Sequence, residues 1–103
     1  MVTLINSFRV PAGREDAFIA LWREVNRYMS AKPGYLRHRL HRAQSADAPY
    51  AFVNIADWTT RAEFDAAHDD GFLALVRRPE WREFASVPAL FDVVHEGASA
   101  TVL

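Results

Sequence analysis

The fold is decided between Val2 and Ala31, where the sequence reads VTLINSFRVPAGREDAFIALWREVNRYMSA. Its start, Val2–Val10, is rich in β-branched and aromatic side chains that alternate in two sets, which is typical of a strand. Pro11–Gly13 then breaks the pattern. From Arg14 onward apolar side chains recur at spacings of three and four, and we therefore predict an amphipathic helix to about Ala31. The apolar residues of this helix are Phe18, Leu21, Trp22, Val25, Tyr28 and Met29.

The next segments predict a hairpin. Lys32–Gly34 ends the helix, because its proline cannot continue a helix and disfavours helical geometry in the residue before it. Two alternating segments follow at Tyr35–Arg42 and Tyr50–Trp58, and the polar stretch Ala43–Pro49 connects them. We expect the two segments to pair as antiparallel strands joined by a long loop.

A second helical region is predicted after this hairpin, in two parts. Thr59 or Thr60 can cap its start, since a hydroxyl oxygen accepts a hydrogen bond from a free backbone N–H of the first turn. Asp69–Gly71 interrupts the region, and Phe72–Arg78 resumes it for one or two turns.

The C-terminal part predicts a flap and one more strand. Pro79–Pro88 is expected to be irregular but packed, because it carries Trp81 and Phe84. Leu90–Glu96 is predicted as the last strand. The small-residue tail Gly97–Leu103 is expected either to fray or to pair with a partner chain.

The predicted order is strand, helix, strand, strand, helix, strand. Two split β-α-β units of this kind give the ferredoxin-like fold of the α+β class, a four-stranded antiparallel sheet with its helices on one face. The chain shows no internal repeat and no linker, so residues 1–103 are expected to form a single domain.

Composition excludes several classes of function. Thirteen acidic residues against twelve basic ones leave a net charge of −1, which does not favour a nucleic-acid or anionic membrane surface. The chain has no cysteine, so disulfides, thiolate chemistry and cysteine-rich zinc sites are excluded. No apolar run approaches the roughly 20 residues that span a bilayer, and the N-terminus does not read as a signal peptide. The expected location is therefore the cytoplasm.

Both faces of the predicted sheet are apolar. Odd-numbered positions include Ile5, Val53 and Ile55, whereas even-numbered ones include Phe8, Phe52 and Trp58. We expect the even face to meet the helices. A second subunit is then expected to cover the odd face, with two sheets packed face to face in a homodimer.

Asn6 and Asn54 are unusual, because each lies in the middle of a strand, where asparagine is disfavoured. A buried amide without a partner costs on the order of 1–3 kcal/mol. Either each amide satisfies a local backbone group, or both face a pocket. Trp58 follows Asn54 by four residues and therefore points the same way in an extended strand; its indole N–H needs an acceptor if it is buried.

On the second interpretation Asn6, Asn54 and Trp58 place neutral donors over the floor of one pocket. Its apolar walls are expected to be Phe18, Trp22 and Phe72. Arg78, after the second helical region, is either solvated or turned inward. In the second case its fixed cation can stabilise an enolate or phenolate.

The four histidines do not predict a metal site. His38 and His41 are an odd number of residues apart on one strand and therefore point to opposite faces. His68 lies on or after a helix and His95 near the last strand, and no pair has the spacing of metal ligands,. One heme-ligating histidine remains an open alternative.

Several segments resemble the antibiotic biosynthesis monooxygenase family of dimeric α+β barrels. The similar stretches are VTLINSFRVPAGREDAFIALW from Val2, PGY from Pro33, FVNIADWTTRAEFDAAH from Phe52 and GFLAL from Gly71. The resemblance covers nearly the whole chain. It implies a homodimer, and it admits cofactor-free oxygenases as well as heme-degrading enzymes.

One branch of that family oxidises anthrone-type aromatic polyketides to quinones with O2 and without metal or flavin. The resemblance to this branch implies roles in activity for Asn54, Trp58 and Arg78. A tyrosine of that branch corresponds to Phe64 here, so the chain departs from the pattern at this position. The aromatic residues expected to contact the substrate are Phe8, Phe18, Trp22, Phe52, Phe64 and Phe72.

The heme-degrading branch provides the alternative. Asn6 and Trp58 match its pattern, but its histidine ligand corresponds to Val76, which cannot bind iron, and His68 lies earlier in the chain. We therefore predict a cofactor-independent monooxygenase that uses O2 on an anthrone- or quinol-type aromatic substrate. A heme-binding or heme-degrading monooxygenase and a non-catalytic dimer that binds a small ligand remain the alternatives.

Overall fold

Four strands form one antiparallel sheet in the order β2-β3-β1-β4. They are β1 (Val2–Arg9), β2 (Tyr35–Arg42), β3 (Phe52–Trp58) and β4 (Ala85–Phe91). The helices are α1 (Glu15–Met29), α2 (Arg61–Ala67) and α3 (Asp70–Val76), followed by a 3-10 helix at Pro79–Glu83. This computed structural model describes residues 1–101, so the last two residues of the predicted tail lie outside the described residues. The architecture confirms the predicted ferredoxin-like α+β fold.

The last strand differs from its prediction. β4 spans Ala85–Phe91, not Leu90–Glu96 as predicted, and it includes Pro88, which pairs with Asn6 of β1. A proline is tolerated there because β4 is an edge strand, and an edge strand does not need every N–H for the ladder. The predicted irregular segment Pro79–Pro88 therefore contains the 3-10 helix and the start of this strand.

The even face of the sheet is the packed one, as predicted. Phe8, Phe52 and Trp58 are buried, whereas Ile55 and Val87 on the odd face are 37% and 51% exposed. Cross-strand pairs such as Ile5 with Ile55 keep residues of one parity on one face,. The sheet thus has a covered face and an open one, on which these apolar residues lie among charged side chains such as Arg39 and Asp57.

Two aromatic clusters join the helices to the even face. Phe18 of α1 lies with its ring centroid 4.8 Å from those of both Phe8 and Phe52. Met29 at the end of α1 and Ala67 at the end of α2 pack in a second cluster with Trp58. The space between these clusters and the strands holds the cavity described below.

The second helical region breaks at His68 and Asp69, between α2 and α3. The Thr60 hydroxyl caps α2 by accepting from the Glu63 N–H, and the Asp69 carboxylate caps α3 by accepting from the Phe72 N–H,. Gly71 is needed just after the break, because a Cβ there would lie 2.3 Å from the Tyr28 hydroxyl.

Among residues 1–101, none of the helices has the length and apolar character that crossing a membrane requires.

Candidate functional site

A cavity of about 720 Å³ lies between the even face of the sheet and the helices. Most of its wall is apolar. Its polar lining residues are Asn6, Asn26, Tyr35, Asn54, Trp58, Arg61, His68 and Ser86. The sequence predicted Asn6, Asn54 and Trp58 over one pocket floor, and the structure places all three in this lining.

Asn6 of β1 and Asn54 of β3 lie directly opposite each other on adjacent strands. They are direct partners in the β1–β3 register, and Asn54 is only 6% exposed. The Oδ1 atoms of both amides are buried, and no atom of the described residues hydrogen-bonds to them. The interpretation in which each amide satisfies a backbone group therefore does not account for these oxygens.

Trp58 carries a third buried polar atom without a partner. Its side chain is 1% exposed, and its Nε1–H finds no acceptor among the described residues. Leaving such a group unpaired costs on the order of 1–3 kcal/mol. Three of them in the wall of one cavity are typical of a binding site, because a ligand that enters can supply the missing partners.

An aromatic wall extends from Trp58 along the helices. The Trp58 ring meets Tyr35 at 5.0 Å and Phe64 at 5.6 Å between centroids, both edge to face,. The rings of Phe64 and Phe72 both contact the imidazole of His68. Their centroids lie 4.3 Å and 4.5 Å from the centroid of that ring, respectively. Trp22, Phe8, Phe64 and Phe72 all line the cavity.

Phe18 and Phe52 lie in the core and not in the cavity lining. Phe18 is fully buried between the rings of Phe8 and Phe52. It precedes Trp22 by one helical turn, so it meets the sheet one turn away from the cavity wall. Phe52 instead borders a second concavity of about 800 Å³, next to the polar side chains of Arg9 and Arg42.

Arg78 is not brought together with Asn54 and Trp58. Its guanidinium bonds to Glu24 at 2.7 Å and to Glu80 at 2.9 Å, and it is not part of the cavity lining. Hydrogen bonds to Glu24 and Glu80 raise the pKa of Arg78 further above its ordinary value. Its role in the reaction stays a prediction.

Sequence reasoning missed a polar network at one edge of the cavity. The Tyr35 hydroxyl lies 3.1 Å from Asn26 Oδ1 and 2.5 Å from His38 Nδ1, and Asn26 Nδ2 lies 2.9 Å from His38 Nε2. Burial raises the pKa of Tyr35 to about 12 and lowers that of His38. The signal was present in the sequence, because Asn26 is a polar residue inside the apolar stripe of α1, four residues after Trp22.

The sequence predicts His68 on or after a helix, and in the structure it is the C-cap residue of α2. It lies at the break, half-buried, and lines the cavity. Its Nδ1 is 2.7 Å from the Phe64 carbonyl oxygen. Within residues 1–101, no group of three or more His, Asp or Glu side chains is arranged to hold a metal ion.

Comparison with known proteins matches one family. The family model for antibiotic biosynthesis monooxygenases covers residues 1–86. The deoxynogalonate monooxygenase of Streptomyces nogalater is 36% identical over 73 residues, which are 70% of this chain and 59% of that protein. The matched segment of the chain thus spans about three fifths of that curated relative.

Solved structures share the fold over nearly the whole chain. SnoaB, a cofactor-independent oxygenase from Streptomyces nogalater, has a TM-score of 0.78 and 30% identity, with 92% of this chain and 94% of that chain covered. HapK from Hahella chejuensis has a TM-score of 0.73 and 27% identity, with 98% of this chain and 100% of that chain covered. A mutant of MhuD with two manganese protoporphyrin IX molecules per active site has a TM-score of 0.69 and 18% identity, with 96% of this chain and 100% of that chain covered. At this identity, the similarity to MhuD shows a shared fold alone.

Proposed function

This chain belongs to the antibiotic biosynthesis monooxygenase family, and we propose that it is a cofactor-independent monooxygenase. In this proposal O2 oxidises an anthrone- or quinol-type aromatic polyketide to a quinone. The observation that carries the proposal is the set of unpartnered polar atoms in the cavity wall: Asn6 Oδ1, Asn54 Oδ1 and Trp58 Nε1. The similarity to a cofactor-independent oxygenase at 30% identity supports the same chemistry.

The proposed reaction needs no outside reductant. An anthrone methylene exchanges two C–H bonds for one C=O bond, and O2 is divided between the new carbonyl and one water molecule. Ground-state O2 is a triplet and reacts slowly with closed-shell molecules unless the organic partner first gives up one electron. A deprotonated anthrone can do so. The protein must therefore favour the anion and hold it away from water.

Each polar residue of the cavity has a part in this proposal. The Trp58 indole N–H donates to the oxygen on which the negative charge of the anion develops. An amide side chain offers both a donor and an acceptor, so Asn6 and Asn54 can bind the hydroxyl and carbonyl groups of the ring system. The aromatic rings of Trp22, Phe64 and Phe72 provide a flat apolar wall for the substrate,.

O2 uptake by the purified protein tests the proposal. Anthrones, naphthols and quinols are screened, each with and without added heme. We expect uptake and quinone formation without heme, and a lower rate in the variants Asn6→Ala, Asn54→Ala and Trp58→Phe. His95→Asn, an exposed position beyond β4, is the control variant. Full activity in all three cavity variants would show that the site lies elsewhere.

Heme binding is the second candidate function, and one observation favours it. His68 lines the cavity with its Nδ1 tied to a backbone carbonyl, which is how metal-ligating histidines are commonly oriented. Arg61, also in the lining, could pair with a propionate. A heme titration decides this candidate: a strong Soret band that His68→Ala abolishes would support it, and its absence would exclude it.

We further propose that the working unit is a homodimer that packs its two sheets through their odd faces. Ile5, Ile55, Val87 and Phe91 lie on this face. The last two are about half exposed in the single chain, and exposed apolar patches of this kind mark interaction surfaces.

A further inference from the structure

The hydrogen bond of His68 fixes which of its ring nitrogens carries a proton. The backbone N–H of His68 donates to the carbonyl oxygen of Asp65. The imidazole Nδ1 bonds to the carbonyl oxygen of Phe64, the residue that precedes Asp65. A carbonyl oxygen only accepts, so Nδ1 is the protonated nitrogen. In the neutral ring Nε2 then carries the free lone pair.

The surroundings of His68 place this ring at the cavity. The imidazole lies between the rings of Phe64 and Phe72, and all three residues line the cavity. Phe64 in turn contacts Trp58. The nearest carboxylate in sequence, Asp69, is already bonded to Lys32 at 2.6 Å and to Tyr28 at 2.7 Å, so it is engaged elsewhere.

The other polar residues of the lining are poor proton acceptors. Amide and indole groups, and the hydroxyl group of Ser86, do not take up a proton at neutral pH. Tyr35 keeps its own proton, since burial raises its pKa to about 12, and the guanidinium of Arg61 offers only donors. His68 is the side chain in this lining whose chemistry suits a general base.

We propose that His68 is the catalytic base of this cavity, an inference that rests on the proposed function. Nε2 takes one proton from the anthrone methylene, leaving the electron pair on the substrate as the enolate. One electron passes from the enolate to O2, and the resulting radical and superoxide combine into a peroxide at that carbon. The imidazolium returns its proton to the departing peroxide oxygen. Loss of the second C–H proton as the O–O bond breaks then gives the carbonyl and water.

Proton removal can be measured apart from oxygenation. Anthrone is incubated without O2 in D2O, and the loss of its methylene signal is followed by NMR with wild-type protein, His68→Asn and the control His95→Asn. Asparagine keeps a donor for the Phe64 carbonyl but removes Nε2. We expect wild type and His95→Asn to catalyse the exchange, and His68→Asn to lower its rate about 10²–10⁴-fold.

A second set of measurements separates a base from a structural residue. Free imidazole should restore exchange in His68→Ala. The affinity of His68→Asn for the product anthraquinone should stay within about threefold of that of wild type. With a nitro-substituted anthrone that ionises by itself, oxidation by His68→Asn should approach the wild-type rate, because no base is then needed.

The outcomes distinguish the two proposals. If wild type exchanges the methylene hydrogens and His68→Asn does not, but wild type consumes no O2, the assignment of His68 as the base stands and the monooxygenase proposal fails. If wild type oxidises anthrone and His68→Asn exchanges and oxidises it equally fast, the monooxygenase proposal stands and His68 is not the base. A fall in rate that neither imidazole nor the acidic substrate relieves would also overturn the assignment to His68.

Discussion

Asn54 holds a buried amide oxygen without a partner in the middle of β3, beside the equally unpaired Asn6. Replacing such a group by an apolar side chain of similar shape removes a cost of about 1–3 kcal/mol. We therefore expect Asn54→Leu to melt at a Tm equal to or above that of wild type while its O2 uptake falls. Thermal unfolding and oxygen consumption measured on the same samples check this prediction.

Asn54→Asp is a useful companion to that variant, because it keeps the size but buries a charge. It should be less stable than both other forms. A Tm of Asn54→Leu well below wild type would mean that the amide stabilises the fold, and the residue would no longer mark a binding site.

Arg78, unlike Asn54, is expected to matter little for the rate of oxidation. Its side chain is 40% exposed and forms ion pairs with Glu24 and Glu80 outside the cavity. Exposed ion pairs typically contribute about 0–1 kcal/mol to stability. We expect Arg78→Ala to lower the rate of oxidation less than Trp58→Phe does, with a small loss of stability. Steady-state kinetics on both variants test this. A larger loss of kcat in Arg78→Ala would show that the arginine turns inward during the reaction.

At the scale of the elements, Asp69 joins α1 to α3. It caps α3 and accepts hydrogen bonds from Lys32 and Tyr28, both of which belong to or follow α1. These bonds, the one from Lys32 first, hold the pKa of Asp69 well below its usual range. A carboxyl group whose pKa is lowered by folding stabilises the protein above its unfolded pKa, and this contribution is lost as the pH falls.

We therefore expect the wild-type protein to lose stability as the pH falls below about 4, and the Asp69→Asn variant to lose less over the same range. Urea unfolding at pH 7 and at pH 3 measures the difference. Asp92→Asn is the control, since that carboxylate lies at an exposed position beyond β4. Equal slopes against pH for wild type and Asp69→Asn would contradict this account of the junction.

The elements also show what the sequence could predict. The alternation of apolar and polar residues was enough to predict the bounds of β2, which the structure confirms. It was also enough to predict that Asn6, Asn54 and Trp58 lie on one face of the sheet. Apolar character alone misplaced β4, because Val93 and Val94 resemble strand residues although both are exposed. Alternation also does not show which strand lies at the edge of the sheet, so it could not predict that Pro88 is tolerated in β4.

The rest of the site depended on contacts between distant segments. Arg78 pairs with Glu24, which is 54 positions away, and no local pattern indicates that pairing. Asn26 of α1 meets Tyr35 and His38 of β2 only after the hairpin packs against α1. The position of His68 follows from the break between α2 and α3, and the exact residue of a helix end is what sequence patterns define least well.

At the scale of the whole molecule, the uncovered odd face predicts self-association. Ile5 lies near the centre of this face, opposite Ile55 of β3 and Ala89 of β4. We expect wild type to sediment as a dimer at micromolar concentration and Ile5→Asp to sediment as a monomer, because a buried unpaired charge costs several kcal/mol. Val94→Asp, at a 95% exposed position beyond the sheet, should leave the dimer intact. A monomeric wild type would contradict the proposal.

A crystal structure with a bound hydroxyanthraquinone product tests the central claim most directly. We predict that the quinone lies in the cavity between the even face and the helices, with one of its carbonyl oxygens within hydrogen-bond distance of Trp58 Nε1. Its phenolic hydroxyl groups should donate to the Oδ1 atoms of Asn6 and Asn54,. A quinone bound instead in the concavity beside Arg9 and Arg42, or held in the cavity with these three groups still unpaired, would contradict the account.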